Sequence, residues 1–154
     1  MKASNNELQK VLIASDVESR GPSAIDHGIL SVGVCVGLAD ELRVLEKVRF
    51  DFKPMQRDEY GWVQTYEEKC QKEFWSKHED KKNIMEQSAK PWREEIKKFR
   101  TFIDKYDDGI KWEAILISDT TAFGPHFINT YLEKASLPPL QYDSTRKNIA
   151  LSEM

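Results

Sequence analysis

Two carboxylates spaced i, i+2, Asp16 and Glu18, close an apolar run that starts at Val11 and breaks at Gly21-Pro22. Successive strand side chains point to opposite faces, so Asp16 and Glu18 share one face and Val17 takes the other. Carboxylates held that close repel, and in a half-buried site one of them tends to keep a proton. A hard divalent cation removes the conflict, because Mg²⁺ and Mn²⁺ prefer oxygen ligands. The stretch therefore reads as half of a metal site at the end of a central strand. The bland alternative is a strand running out into a polar turn.

Other candidates are fewer. Asp119 directly follows the apolar run Ala114-Ile115-Leu116-Ile117, where it can join the first two acids or serve as a helix N-cap or Asx turn. Trp75 and Phe123 are aromatic rings that could stack on bases, with core packing as the default for Trp75. His126 near the Asp119 loop reads as a surface histidine at a helix start. His27, His78 and His126 have no zinc-like spacing to cysteine. Ser15 and Ser19 lack an acid-base partner, and no Gly-rich phosphate loop is present.

The elements that must position these residues begin with three β-patterned segments. The first covers 11–17. After a turn-rich connection with Gly21, Pro22 and Gly28, the second covers 29–37. There Leu30, Val32, Val34 and Val36 share a face, and Ser31, Gly33 and Cys35 the other. Small residues on that second face predict something packed closely against it. The third segment, 42–52, sets Val44, Val48, Phe50 and Phe52 opposite Arg43, Lys47, Arg49 and Asp51, with Glu46 interrupting the apolar face. Short connections make the three an antiparallel meander.

Helical spacing follows over 65–78, through Tyr66, Cys70, Phe74 or Trp75, and His78. The charged segment 79–89 reads as the end of that helix and a loop. With Ser88 near the N-cap and Pro91 at the first helical position, a long helix carries Trp92, Ile96, Phe99, Phe102, Ile103 and Tyr106 along one side. Asp107-Asp108-Gly109 ends it. Residues 112–118 form a buried strand parallel to the first, which makes a mixed sheet whose acidic strand ends meet at one edge. Phe127, Ile128, Tyr131 and Leu132 mark a last helix to about Ala135, and 136–154 has no assignment.

At 154 residues the chain fits one α/β domain, with its core over about 10–135. A net charge of -3 does not advertise a nucleic-acid binder, although an enzyme that meets a polyanion through metal ions needs no basic surface. Two distant cysteines, no secretory leader and no apolar run of about 18 residues predict a soluble, intracellular, cytoplasmic protein with reduced thiols.

The pattern of apolar strand, Asp-x-Glu, Gly turn, two strands, helices and strand-loop-helix resembles the DEDD (RNase T-like) 3′–5′ exonucleases of the ribonuclease H-like superfamily. Asp16-Val17-Glu18-Ser19-Arg20-Gly21 is similar to the family's first motif, and Phe74-Trp75 with Phe99 and Phe102 resembles a branch from phages, bacteria and large DNA viruses. In that branch the second motif often reads Ser-Asp-Asn-Pro-Ala-Phe-Asp, where this chain has Ser118-Asp119-Thr120-Thr121-Ala122-Phe123-Gly124. The family's catalytic Asp thus falls on Gly124. No third motif of His or Tyr with a final Asp follows residue 140, so the C-terminus is expected to be incomplete relative to the family.

The resemblance implies a ribonuclease H-like mixed sheet of three antiparallel strands plus a parallel one, and a metal-dependent exonuclease acting on 3′ ends of single-stranded DNA or RNA. It implies Asp16 and Glu18 as metal ligands, Asp119 as a third catalytic acid, and Ser19, Phe123 and Trp75 as substrate contacts. The family uses two divalent ions about 4 Å apart; with these acids one Mg²⁺ or Mn²⁺ is expected here. A catalytically weak domain that binds nucleic acid, a protein partner or a second copy is the alternative.

Overall fold

The computed structural model describes residues 7–41, 43–57, 62–118 and 123–142, without the side chains of Arg57 and Trp62. Strands β1 (Gln9–Ser19), β2 (Ile29–Leu38) and β3 (Val44–Asp51) pair antiparallel, as the alternation predicts. Strand β6 (Trp112–Ile117) lies parallel to β1, with Ala14 opposite Ile117, and gives the order β3-β2-β1-β6. A two-residue hairpin, β4 (Gln56–Arg57) with β5 (Trp62–Val63), forms a separate ribbon. The mixed α/β sheet of the sequence reading is therefore the observed one.

Register decides which side chains meet. Ile13, Val36 and Glu46 form one transverse row, and Val17, Val32 and Phe50 another, on the face that packs against helices α3 (Trp92–Lys105) and α4 (Phe123–Lys134). Ile96, Phe99 and Ile103 of α3 and Phe127, Ile128, Tyr131 and Leu132 of α4 are almost fully buried there. Glu46 interrupts the apolar row because it faces Tyr106, whose hydroxyl donates to Glu46 Oε1 at 2.5 Å, with Lys105 Nζ 3.1 Å away. These two donors hold the Glu46 carboxyl below the usual carboxylate range.

The region between β5 and α3 departs from the predicted single helix and loop. Helix α1 spans only Glu68–Glu73, a 3₁₀ turn follows at Trp75–Lys77, and the charged segment is itself helix α2 (Glu79–Ser88). Helix α2 buries one apolar residue, Met85, so it carries almost no amphipathic signal. Burial of such a side chain is worth about 1.5–3 kcal/mol, against several such terms for α3. Polar fastenings supply the rest: Lys81 to Glu18 at 3.0 Å, Tyr66 Oη to Glu86 at 2.7 Å, and Ser88 Oγ to Asp51 at 2.6 Å. Ser88 ends α2 instead of capping α3, whose N-cap is Pro91.

A buried polar knot fixes the turn after β1. Tyr131 Oη accepts from the Ile29 amide at 2.8 Å and donates to Gln64 Oε1 at 3.1 Å. Gln64 Nε2 in turn donates to the Ala24 and Ile25 carbonyls. Gly28 has a φ of 77°, and a Cβ there would collide with the Gln64 amide and the Tyr131 hydroxyl. Gly28→Ala is expected to cost roughly 2–4 kcal/mol through backbone strain plus overpacking. Urea unfolding monitored by tryptophan fluorescence measures it, and a loss under about 0.5 kcal/mol, the size of an ordinary surface change, contradicts the knot's role.

Candidate active site

Strand β1 has two unlike faces toward its C-terminal end. Val17 faces the core, while Asp16 is exposed and Glu18 half-buried on the opposite face. The parallel strand β6 ends at Ile117, opposite Ala14 and two residues short of Asp16 along β1. Asp119 lies outside the described residues. Among the described residues no three metal-ligating side chains come together.

Gly124 is buried in the first turn of α4, against the end of β1. A Cβ added there would lie 3.3 Å from Ser118 Oγ and 3.7 Å from Val17 Cγ2. Position 124 therefore meets β1 on the Val17 side, opposite the face of the two acids, and has no side chain to offer as a ligand. Asp51 is a buried acid on the same sheet face, in the row Glu18, Ser31, Asp51. Its oxygens are engaged by Ser31 at 2.6 Å, Ser88 at 2.6 Å and Arg49 at 3.0 Å. Two strand spacings, roughly 10 Å, separate it from β1, which keeps it from sharing an ion with Glu18.

At the end of β1 the described residues offer two carboxylates on this sheet face, Asp16 and Glu18. Mg²⁺ commonly takes one or two carboxylates and fills its other positions with water and substrate phosphate oxygens. Asp16 and Glu18 can supply those two carboxylates. Glu18, however, already faces the Lys81 ammonium, the counter-charge that an ion would have to displace.

The other sequence candidates fall in different places. Ser19 Oγ donates to the Gly21 carbonyl at 2.7 Å, so its hydroxyl shapes the turn. Trp75 is about 1% exposed, packs edge-on against Tyr66 and Phe74, and donates its indole N–H to the Ser19 carbonyl at 3.1 Å. Its ring offers no face to a base; core packing, the default, describes it. Phe123 is exposed at the start of α4, tilted against Phe127 with ring centroids 4.7 Å apart. His126 is exposed on the same helix.

Arg20 was not singled out in the sequence, and it anchors the motif. Its Nη1 donates to the Ile29 carbonyl at 2.8 Å and its Nη2 to the Phe52 carbonyl at 2.6 Å, which ties the end of β1 to β2 and to the residue after β3. Burial lowers its affinity for the proton, and nearby Tyr131 and Tyr66 partly offset that. Gly21 is needed for close approach: a Cβ there would run into the His27 ring and Glu67. A buried arginine just past an acidic pair has no periodic signature, which is why the sequence did not reveal it.

No family model and no curated protein sequence matches the chain. Solved structures do. Product-bound exonuclease I superposes with a TM-score of 0.65 at 11% identity, over 88% of this chain and 29% of that one. The fold is that of the DEDD exonucleases. The zinc-bound E. coli exonuclease I complex with single-stranded DNA gives 0.63 at 11% identity, over 88% and 27%. The nuclease domain of 3′hExo, a DEDDh family member bound to rAMP, gives 0.57 at 14% identity, over 84% and 62%. The chain thus spans less than a third of exonuclease I.

Lys81→Ala is expected to raise the affinity of the chain for Mn²⁺ by up to about fivefold, the scale of a lost exposed ion pair. Calorimetric titration measures this; an unchanged affinity means Lys81 does not compete with an ion for Glu18.

Proposed function

We propose that this chain is a metal-dependent 3′–5′ exonuclease domain acting on single-stranded nucleic-acid ends, with Asp16 and Glu18 holding one Mg²⁺ or Mn²⁺. The observation that carries the reading is the pair itself: two carboxylates on one face, at the end of a central strand, in an exonuclease fold. The solved complexes of exonuclease I with single-stranded DNA support a strand as the ligand class. A bound ion would supply activation of water and neutralisation of charge on phosphate oxygens. Asp119 is the third acid in this proposal, and Phe123, exposed at the start of α4, is the ring for the terminal base. No helix among the described residues is long and apolar enough to cross a membrane.

A second reading rests on Gly124 and Lys81. With no donor at the first and a cation already on Glu18, the domain would bind strand ends, or a protein partner, without cutting.

A 5′-labelled single strand, DNA in one arm and RNA in the other, separates the two. The expected result is shortening from the 3′ end with Mg²⁺ or Mn²⁺, abolished by chelation and by Asp16→Asn. A strand that is retained by the protein but stays full length in every metal supports the second reading and sinks the first.

A further inference from the structure

On the sheet face that carries Asp16, Leu12, Ala14 and Ile117 are buried, Gly33 and Cys35 are half-buried, and Asp16, Lys47 and Arg49 are exposed. Register sets Asp16, Gly33 and Arg49 in one transverse row, and Ala14, Cys35 and Lys47 in the next. Helix α2 covers the row beyond, where Ser88 meets Asp51 and Lys81 meets Glu18, and reaches the Asp16 row only at Arg49. The small residues of β2 predicted a closely packed neighbour. Ser31 has one, since Asp51 and Ser88 of α2 close over it, whereas a Cβ placed on Gly33 meets nothing within 4 Å among the described residues. What lies there is a groove of about 400 Å³, with Asp16 at one end and Lys47 at the other.

The charges along the groove are unequal in their engagement. Arg49 spends its guanidinium on Asp51 and Ser88. Lys47 is exposed, and no carboxylate among the described residues lies within ion-pairing distance of it. Its Cα is two strand spacings and one row from Asp16, roughly 12 Å in a regular sheet. A lysine acts on phosphate as a point charge, without the geometric demand of an arginine fork. A groove with an apolar floor, a gap at its centre and a cation at its far end suits a chain that repeats negative charge beside flat apolar rings.

The geometry points to this groove as the bed for the phosphodiester backbone of a single strand whose 3′ end is engaged at Asp16 and Glu18. The inference rests on the exonuclease reading above and adds the direction of the strand: away from the acids, across β2 to β3. Lys47 neutralises one phosphate, and the absence of a side chain at Gly33 lets the strand pass close to the sheet.

The test is fluorescence anisotropy of a 5′-labelled oligothymidylate, in Ca²⁺, over a series of salt concentrations. Lys47→Ala is expected to weaken binding to every sequence alike and to reduce the salt slope of log affinity by about 0.7, the value for one phosphate contact on a single strand. Lys97→Ala, on the far side of the sheet in α3, leaves the slope unchanged. Gly33→Leu keeps the melting temperature and loses binding, because its Cβ meets no described residue within 4 Å and the rest of the side chain occupies the groove. Intact binding with an unchanged slope in Lys47→Ala, or intact binding in Gly33→Leu, overturns the groove and leaves the functional reading standing. Failure of the unsubstituted protein to bind the strand overturns both. Sedimentation showing a dimer that Gly33→Leu breaks also overturns it, since a second copy then covers this face.

Discussion

The alternation of side chains along β1 is the constraint on which the rest depends. Val11, Ile13 and Val17 must enter the core, and that alone turns Asp16 and Glu18 to the opposite face. A slip of one residue would bury both carboxylates among Phe127, Ile128 and Leu132 and expose three apolar side chains, a cost no other contact in the molecule could offset. Pairing on both edges, with β2 on one side and β6 on the other, makes such a slip harder still. The acids are therefore held in place by residues that never touch them.

Charge is handled differently on the two faces. On the core face Glu46 is admitted because Tyr106 and Lys105 both donate to it. Burial, followed by the Glu46 carboxylate, pushes the Tyr106 phenol up to about 12, so through the physiological range the phenol keeps its proton and Glu46 stays ionised. On the outer face Asp51 is satisfied by two serines and an arginine, and it serves as an anchor for α2. Acids of similar sequence context thus divide into fasteners and candidate ligands according to how many donors surround them.

Much of this was legible in the sequence. The four main strands, their mixed pairing and the apolar side of α3 follow from periodicity, because those elements owe their stability to burial. Helix α2 was not legible, since one buried methionine leaves no period to read. The Gly28, Gln64 and Tyr131 knot was equally hidden: its members are 36 and 67 residues apart, counted from 28 to 64 and from 64 to 131, and only the tertiary fold brings them together. At the site, Asp16 and Glu18 were apparent from spacing. Core packing was the default for Trp75; the bond that fixes its indole, to a backbone carbonyl at the end of β1, is one that no side-chain pattern reports.

The fastening of α2 has a consequence for motion. A segment with few buried apolar contacts opens locally at a small fraction of the free energy needed to unfold the whole domain. Helix α2 has one such contact, whereas α3 and the sheet share the main core. The helix therefore forms a unit that can lift while the sheet stays intact, carrying Lys81 away from Glu18 and Ser88 away from Asp51. Amide hydrogens of α2 would exchange well ahead of those of β1, and the acidic edge of the sheet would spend part of its time uncovered.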